Sequence, residues 1–243
     1  MNERVFVTGV GAVSPVGLDA NDTWSNLISG QSGVDSITSF DTEGFETTFA
    51  AEIPEFDPTH YVDKKQARRM DRFVQFAAAA SLEALANSGL EITSENTTRV
   101  SVMVSSGIGG IITLSEQIGV LNKRGPNRVS PFLVPMMLAD MASGQISILF
   151  GAKGPNYCIV TACSSGADAI GIASEMIRRG EVDIAIAGGT EAPICPIAVA
   201  GFNSCLALSR RNHDPSGASR PFDADRDGFV MGEGAGILIL ESS

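Results

Sequence analysis

Histidine and paired cysteines are what this chain most plainly lacks. It has two histidines, His60 and His213, and four cysteines at 158, 163, 195 and 205 without any C-x-x-C spacing, which argues against a zinc site or any other bound metal. Basic charge is scarce too. Seventeen Lys and Arg face 28 Asp and Glu, giving a formal charge of -11 and a pI near 4.6, and a surface of that sign repels phosphate and excludes a general nucleic-acid binder. No apolar run approaches membrane-spanning length, and the chain opens on the strand pattern Val5-Phe6-Val7-Thr8-Gly9 with neither a charged n-region nor an apolar h-region. The expectation is a cytoplasmic protein with free thiols and no membrane association. Low-complexity tracts, repeats and linkers are missing as well. What is present is enough apolar content, 44% of 243 residues, to bury one large core or two closely packed ones.

Short β-branched runs recur at Arg4 to Gly9, Arg99 to Ser105, Tyr157 to Thr161, Asp183 to Ala187 and Gly236 to Leu240, with helical patterns between them. That alternation predicts an α/β layered fold with a largely parallel, buried sheet. The first helix is expected after Asn21-Asp22, burying Trp24, Leu27 and Ile28 and stopping at Gly30. A longer one is expected from about Lys65 to Asn87, with Met70, Phe73, Val74, Ala77, Leu82 and Leu85 along one stripe and Gly89 closing it. The stretch from Gly107 to Phe150, glycine-rich and then helical from about Pro135 to Leu149, reads as an insertion carrying pocket walls.

The chemistry concentrates at Val160-Thr161-Ala162-Cys163-Ser164-Ser165-Gly166, where an apolar run stops at a cysteine and a small-residue helical pattern begins. A cysteine at a helix start meets unpaired N–H groups and the positive end of the helix dipole, which favour a thiolate nucleophile. The plainer alternative is a buried cysteine acting as a small hydrophobe. Gly9-Val10-Gly11 follows a strand but lacks the third glycine of a dinucleotide fingerprint, and tight-turn use is the better reading. Asp223-Ala224-Asp225-Arg226-Asp227-Gly228 imitates the start of a calcium loop and then departs from it, so a loop charge-paired through Arg220 or Arg226 is expected instead. Lys64, Lys65, Arg68, Arg69 and Arg72 gather basic charge in an acidic chain, with 65, 68, 69 and 72 on one face if the segment is helical. That is either a solvated face or a docking patch for an acidic partner. Neither His60 nor His213 sits in a pattern that suggests a base for Cys163.

Several stretches together carry a family resemblance: Val7 to Gly17, Gly107-Ile108-Gly109-Gly110, Thr161 to Gly166, Ala187-Gly188-Gly189-Thr190-Glu191, Ser219-Arg220-Pro221-Phe222-Asp223, and Arg226 to Gly236. In order and spacing the whole chain resembles the N-terminal half of a type II β-ketoacyl-acyl carrier protein synthase of the thiolase-like superfamily. The resemblance implies one domain over residues 1–243, half of an α-β-α-β-α architecture with the segment at about 107–150 inserted. It implies that Cys163 accepts an acyl chain as a thioester, with its backbone N–H as an oxyanion donor, ahead of decarboxylative Claisen condensation with malonyl-acyl carrier protein in fatty acid synthesis. Ile108 and Phe202 match acyl-pocket positions, and Lys65, Arg68 and Arg69 match a docking face for an acyl carrier protein bearing acyl- or malonyl-phosphopantetheine. No other cofactor is implied. The strand at Tyr157 to Thr161 resembles one that pairs across a homodimer axis. Family members continue into a second half with catalytic histidines that His60 and His213 do not match, so the expectation is a piece, or a chain completed by another and incompetent for the full reaction alone. A polyketide ketosynthase piece and a non-catalytic interaction subunit are the alternatives.

Overall fold

The computed structural model describes residues 4–243. In chain order its elements are β1 (Val5–Val13), α1 (Ala20–Ile28), β2 (Asp35–Ser36), β3 (Phe49–Ala50), α2 (Lys64–Ala67), α3 (Arg72–Ser88) and β4 (Val100–Ser105). They continue as α4 (Ile111–Arg124), α5 (Leu133–Met137), α6 (Met141–Phe150), α7 (Ser165–Arg178), β5 (Ile184–Glu191), α8 (Pro196–Ser204) and β6 (Gly234–Ser242).

Period-two alternation builds a three-layer sandwich. Val100, Val102 and Val104 of β4, Ile184 and Ile186 of β5, and Ile237 and Ile239 of β6 face α3 and α6. Their neighbours Met103, Ala185, Ala187 and Leu240 face Ala169, Ala173, Met176 and Ile177 of α7. The sheet order is β1-β6-β5-β4. Only β4 and β5 run parallel; β1–β6 and β5–β6 are antiparallel, so the sheet is mixed rather than largely parallel. The sequence runs look alike in both senses because β4, β5 and the apolar middle of β6 are covered on both faces.

The long helix expected from Lys65 is two. Asp71 breaks it by N-capping α3, accepting from the Phe73 amide and also from the Thr113 amide and hydroxyl at 2.9 and 2.6 Å. Met70, Phe73, Val74, Ala77 and Leu85 are buried as expected, Leu82 is not, and Gly89 ends α3 with φ +68. Burial lifts the Asp71 carboxyl above its ordinary range, against the hydrogen bonds that pull it down. A carboxyl raised on folding contributes stability that is fully present below its unfolded pKa and is lost as pH rises through the folded one. The stability of the native protein relative to Asp71→Asn is therefore expected to fall as pH rises through the acid range, read from urea midpoints; a relative stability that increases with pH contradicts it.

Gly9 and Gly11 lie within β1, not in a turn. A Cβ on either would stand 2.2 Å from the Ala84 carbonyl oxygen or 2.0 Å from that of Ala80, so they exist to let β1 lie against the alanine face of α3. The same helix reaches around the outer edge of β1: Asn87 Oδ1 accepts from the Val10 amide at 2.9 Å and Glu83 Oε2 from the Ala12 amide at 2.8 Å. The opposite edge, at β4, is lined by residues 154–159, which bond to Val100, Val102 and Ser105.

Two expected burials fail. α1 is capped by Asp19 and held through polar contacts, Ala20 N–H to Glu83 and Asn26 to the Val16 carbonyl, so Trp24, Leu27 and Ile28 turn outward. Residues 157–161 form no strand; Tyr157 and Val160 are 55% and 57% exposed, because the segment has a neighbour on only one side. The 107–150 segment carries no strand, as expected, but holds α4 as well as α5 and α6, the last two separated at Leu138. No helix among the described residues is long and apolar enough to cross a membrane.

Candidate active site

The chain reaches Cys163 through a turn that the local sequence has to force. Ala162 sits at φ +53, a left-handed conformation that costs a non-glycine residue about 1–2 kcal/mol. Ser165 holds it there: its amide and hydroxyl both donate to the Ala162 carbonyl, at 3.1 and 2.6 Å, while its Oγ accepts from the Thr161 amide. Ser164 then caps α7, and Ser165 is its first residue. Cys163 thus lies just outside the helix rather than in it, and it is exposed. Gly166 and Gly189 let the start of α7 press against β5; a Cβ on Gly166 would meet the Gly189 Cα at 3.1 Å.

Cys163 opens onto a cleft of about 610 Å³. Ile108 from the loop after β4 and Phe202 from α8 line it, and Phe202 packs edge-on against Phe229 with ring centroids 5.4 Å apart. Of the 107–150 segment only Gly107 and Ile108 reach this cleft. The lining is mainly apolar and glycine-rich, suited to an extended hydrocarbon, and its ionisable groups are Cys163, Glu191 and Glu233. His60 and His213 are exposed and line none of it.

Two carboxylates matter here that sequence reasoning left without a role. Glu191, at the end of β5, accepts from the Ser106 hydroxyl and the Gly107 amide, both at 2.7 Å, and from the Ile108 amide at 3.2 Å. Burial raises its pKa, opposed by those same bonds. Glu233, buried, takes a two-pronged pair from Arg72, Nη2 to Oε1 at 2.8 Å and Nε to Oε2 at 3.0 Å, and accepts from the Ile53 amide at 2.8 Å. The quoted motifs contained both residues; the signal that was available was an acidic residue directly after a buried strand or among glycines, where a solvated role is implausible.

The basic residues divide. Lys65 belongs to α2, Arg68 caps it, and Arg69 lays its guanidinium 4.6 Å from the Phe132 ring centroid; all three are exposed. Arg72 does not share their face, since α2 ends at Ala67 and Arg72 turns inward to Glu233. The acidic loop is charge-paired as expected: Arg220 reaches the Asp223 carboxylate at 3.1 Å, Arg226 donates to the Asp223 carbonyl, and Asp227 turns away to Ser209 and the Arg210 amide.

Comparison with known proteins agrees along the whole chain. Residues 2–243 match the model of the β-ketoacyl synthase N-terminal domain. A 3-oxoacyl-[acyl-carrier-protein] synthase 2 from Synechocystis sp. is 50% identical over 239 residues, 98% of this chain, and that from Staphylococcus aureus 50% over 241 residues, 99% of it. The chain spans 58% of the length of each. Among solved structures, the ishigamide ketosynthase/chain length factor superimposes with a TM-score of 0.87 at 35% identity, covering 100% of this chain and 59% of that one. A type II PKS acyl-carrier protein in complex with its ketosynthase bound to the hexaketide gives 0.86 at 32%, covering 100% and 59%. By sequence and by fold, the chain belongs to the β-ketoacyl synthase family and matches that family's N-terminal domain.

Proposed function

We propose that this chain contributes the acyl-accepting site of a 3-oxoacyl-acyl carrier protein synthase, an acyltransferase of fatty acid synthesis. The observation that carries the reading is an exposed Cys163, delivered by a strained turn into a mainly apolar cleft lined by Ile108 and Phe202. The Cys163 sulfur attacks the carbonyl carbon of an acyl-phosphopantetheine thioester, a tetrahedral oxyanion forms near the Cys163 N–H, and the carrier's thiol leaves with the proton that Cys163 gave up. The chain is thereby acylated, and condensation with malonyl-acyl carrier protein follows in the complete enzyme. The test is intact-mass and peptide mapping after incubation with an acyl-acyl carrier protein: one acyl group on Cys163 supports the reading, and acylation spread over the exposed cysteines refutes it.

Lys65, Arg68 and Arg69 dock the carrier, with Arg69 steadied by Phe132. Reversing all three charges is expected to slow association by about ten-fold at low salt, an effect that fades as salt is raised, without changing alkylation of Cys163 by a small reagent. Unchanged carrier binding at low salt returns these residues to an ordinary solvated face. The protein acts in the cytoplasm as a homodimer joined along residues 157–161, a reading supported by the exposed Tyr157 and Val160. A polyketide ketosynthase is the second reading, favoured by the likeness to the ishigamide and PKS ketosynthases, and loading assays with the two kinds of carrier separate them.

A further inference from the structure

The loop Ser106-Gly107-Ile108-Gly109 has the backbone of an anion-binding nest, with successive N–H groups turned to one side. The anion it holds is the protein's own. Glu191 Oε2 receives the Gly107 and Ile108 amides, Oε1 receives the Ser106 hydroxyl, and Ser106 Oγ in turn accepts from the Gly109 amide at 2.7 Å. Every amide from 107 to 109 is thus committed to one carboxylate or to the hydroxyl bound to it. Ser106 is buried, and Gly107 is squeezed so closely that a Cβ would stand 3.1 Å from both Glu191 Oε2 and the carbonyl of Ala162, the residue before Cys163. Glu191 is itself held rigidly: it ends β5, pairs with Gly234 of β6, and follows Thr190, whose hydroxyl donates to the Phe73 carbonyl at 2.6 Å.

From this arrangement we infer that Glu191 is a positioning residue for acyl selectivity, fixing Ile108 against the turn that presents Cys163 and so setting how long a chain the cleft admits. The inference rests on the reading of Cys163 as the acyl acceptor. A glutamine substitutes imperfectly: with its oxygen on the Gly107 and Ile108 amides, its NH2 faces Ser106 Oγ, which already accepts from Gly109 and loses the acceptor for its own proton.

The test compares labelling of Cys163 by N-methyl- and N-decyl-iodoacetamide, alongside amide exchange at Gly107, Ile108 and Gly109. In Glu191→Gln the decyl-to-methyl rate ratio is expected to change by about ten-fold and the three amides to exchange at least about ten-fold faster, the cost of an unsatisfied buried polar group. Glu191→Asp, which keeps the carboxylate, should recover part of the ratio. Ile108→Ala should change the ratio too, and adding Glu191→Gln to it should add little, since both act through one side chain. Should Glu191→Gln fail to fold, Ser106→Ala removes a single link and is expected to shift the ratio by about three-fold. A ratio within about two-fold of the native value in a folded variant overturns the inference, as does unchanged exchange of the amides. Failure of the underlying reading looks different: native Cys163 then takes neither reagent ahead of the exposed Cys205, which removes the selectivity role whatever the amides do.

Discussion

Replacing Cys163 by serine is expected to abolish acyl uptake from an acyl carrier, with the rate falling on the order of a thousand-fold or more. The sulfur is the only strong nucleophile among the cleft's ionisable groups, and the two others, half-buried Glu191 and buried Glu233, are engaged by other donors. The necessary control is Cys205, which is also exposed but lies after α8 with its thiol directed to the Phe202 carbonyl. Cys205→Ser should load normally, and buried Cys195 should resist reagents until the protein unfolds. Acyl mass persisting in Cys163→Ser, or mapping to Cys205, sinks the assignment.

The largest stability loss is expected from Glu233→Ala. Glu233 is 3% exposed and Arg72 28%, and removing one partner of a buried pair strands the other charge, costing about 3 kcal/mol or more. In a domain of this size that lowers the melting temperature by about 10 °C. The loss exceeds that of the charge alone because the pair also joins the start of α3 to residue 53 and to the approach to β6. By contrast the Arg99–Asp183 pair, 39% and 48% exposed, stands in water, and cutting it with Asp183→Asn should cost about 1 kcal/mol or less. A Glu233→Ala protein that melts within about 2 °C of the native one would show that Arg72 finds solvent or a new partner at little cost.

The layered fold and the Cys163 turn could be read from the chain because they depend on local pattern, whereas Ile108 and Phe202 came only with the family resemblance. Strands β1, β4, β5 and β6 announce themselves by β-branched runs, and the Cys163 turn by a strand stopping at small residues. What escaped is decided by contacts distant in sequence. Nothing local distinguishes Asp71 as a helix cap from Asp71 inside one longer helix, since Thr113, its partner 42 residues on, makes the difference. Glu191 was visible only as a motif letter, because its donors lie at 106–108, some 84 residues earlier. Strand sense was misread for a similar reason: a strand buried on both faces looks the same whichever way its neighbour runs. The outward apolar stripe of α1 failed on the assumption that an amphipathic helix buries its apolar face within its own chain.

The asymmetry of the sheet's two margins sets a limit on how copies of this chain can join. At β1 the outward amides of Val10 and Ala12 are already occupied by Asn87 and Glu83, so an incoming strand finds no donors at those two positions. At the far margin residues 154–159 bond to β4 on one side, and Tyr157 and neighbouring Val160 are exposed. A molecule with one sticky margin joins a second copy and then has none left, whereas two such margins would permit endless head-to-tail growth. Two copies paired along the far margin would therefore meet a blocked stretch at Val10 and Ala12 of β1, and substitutions that freed those two amides are expected to favour longer edge-to-edge assemblies.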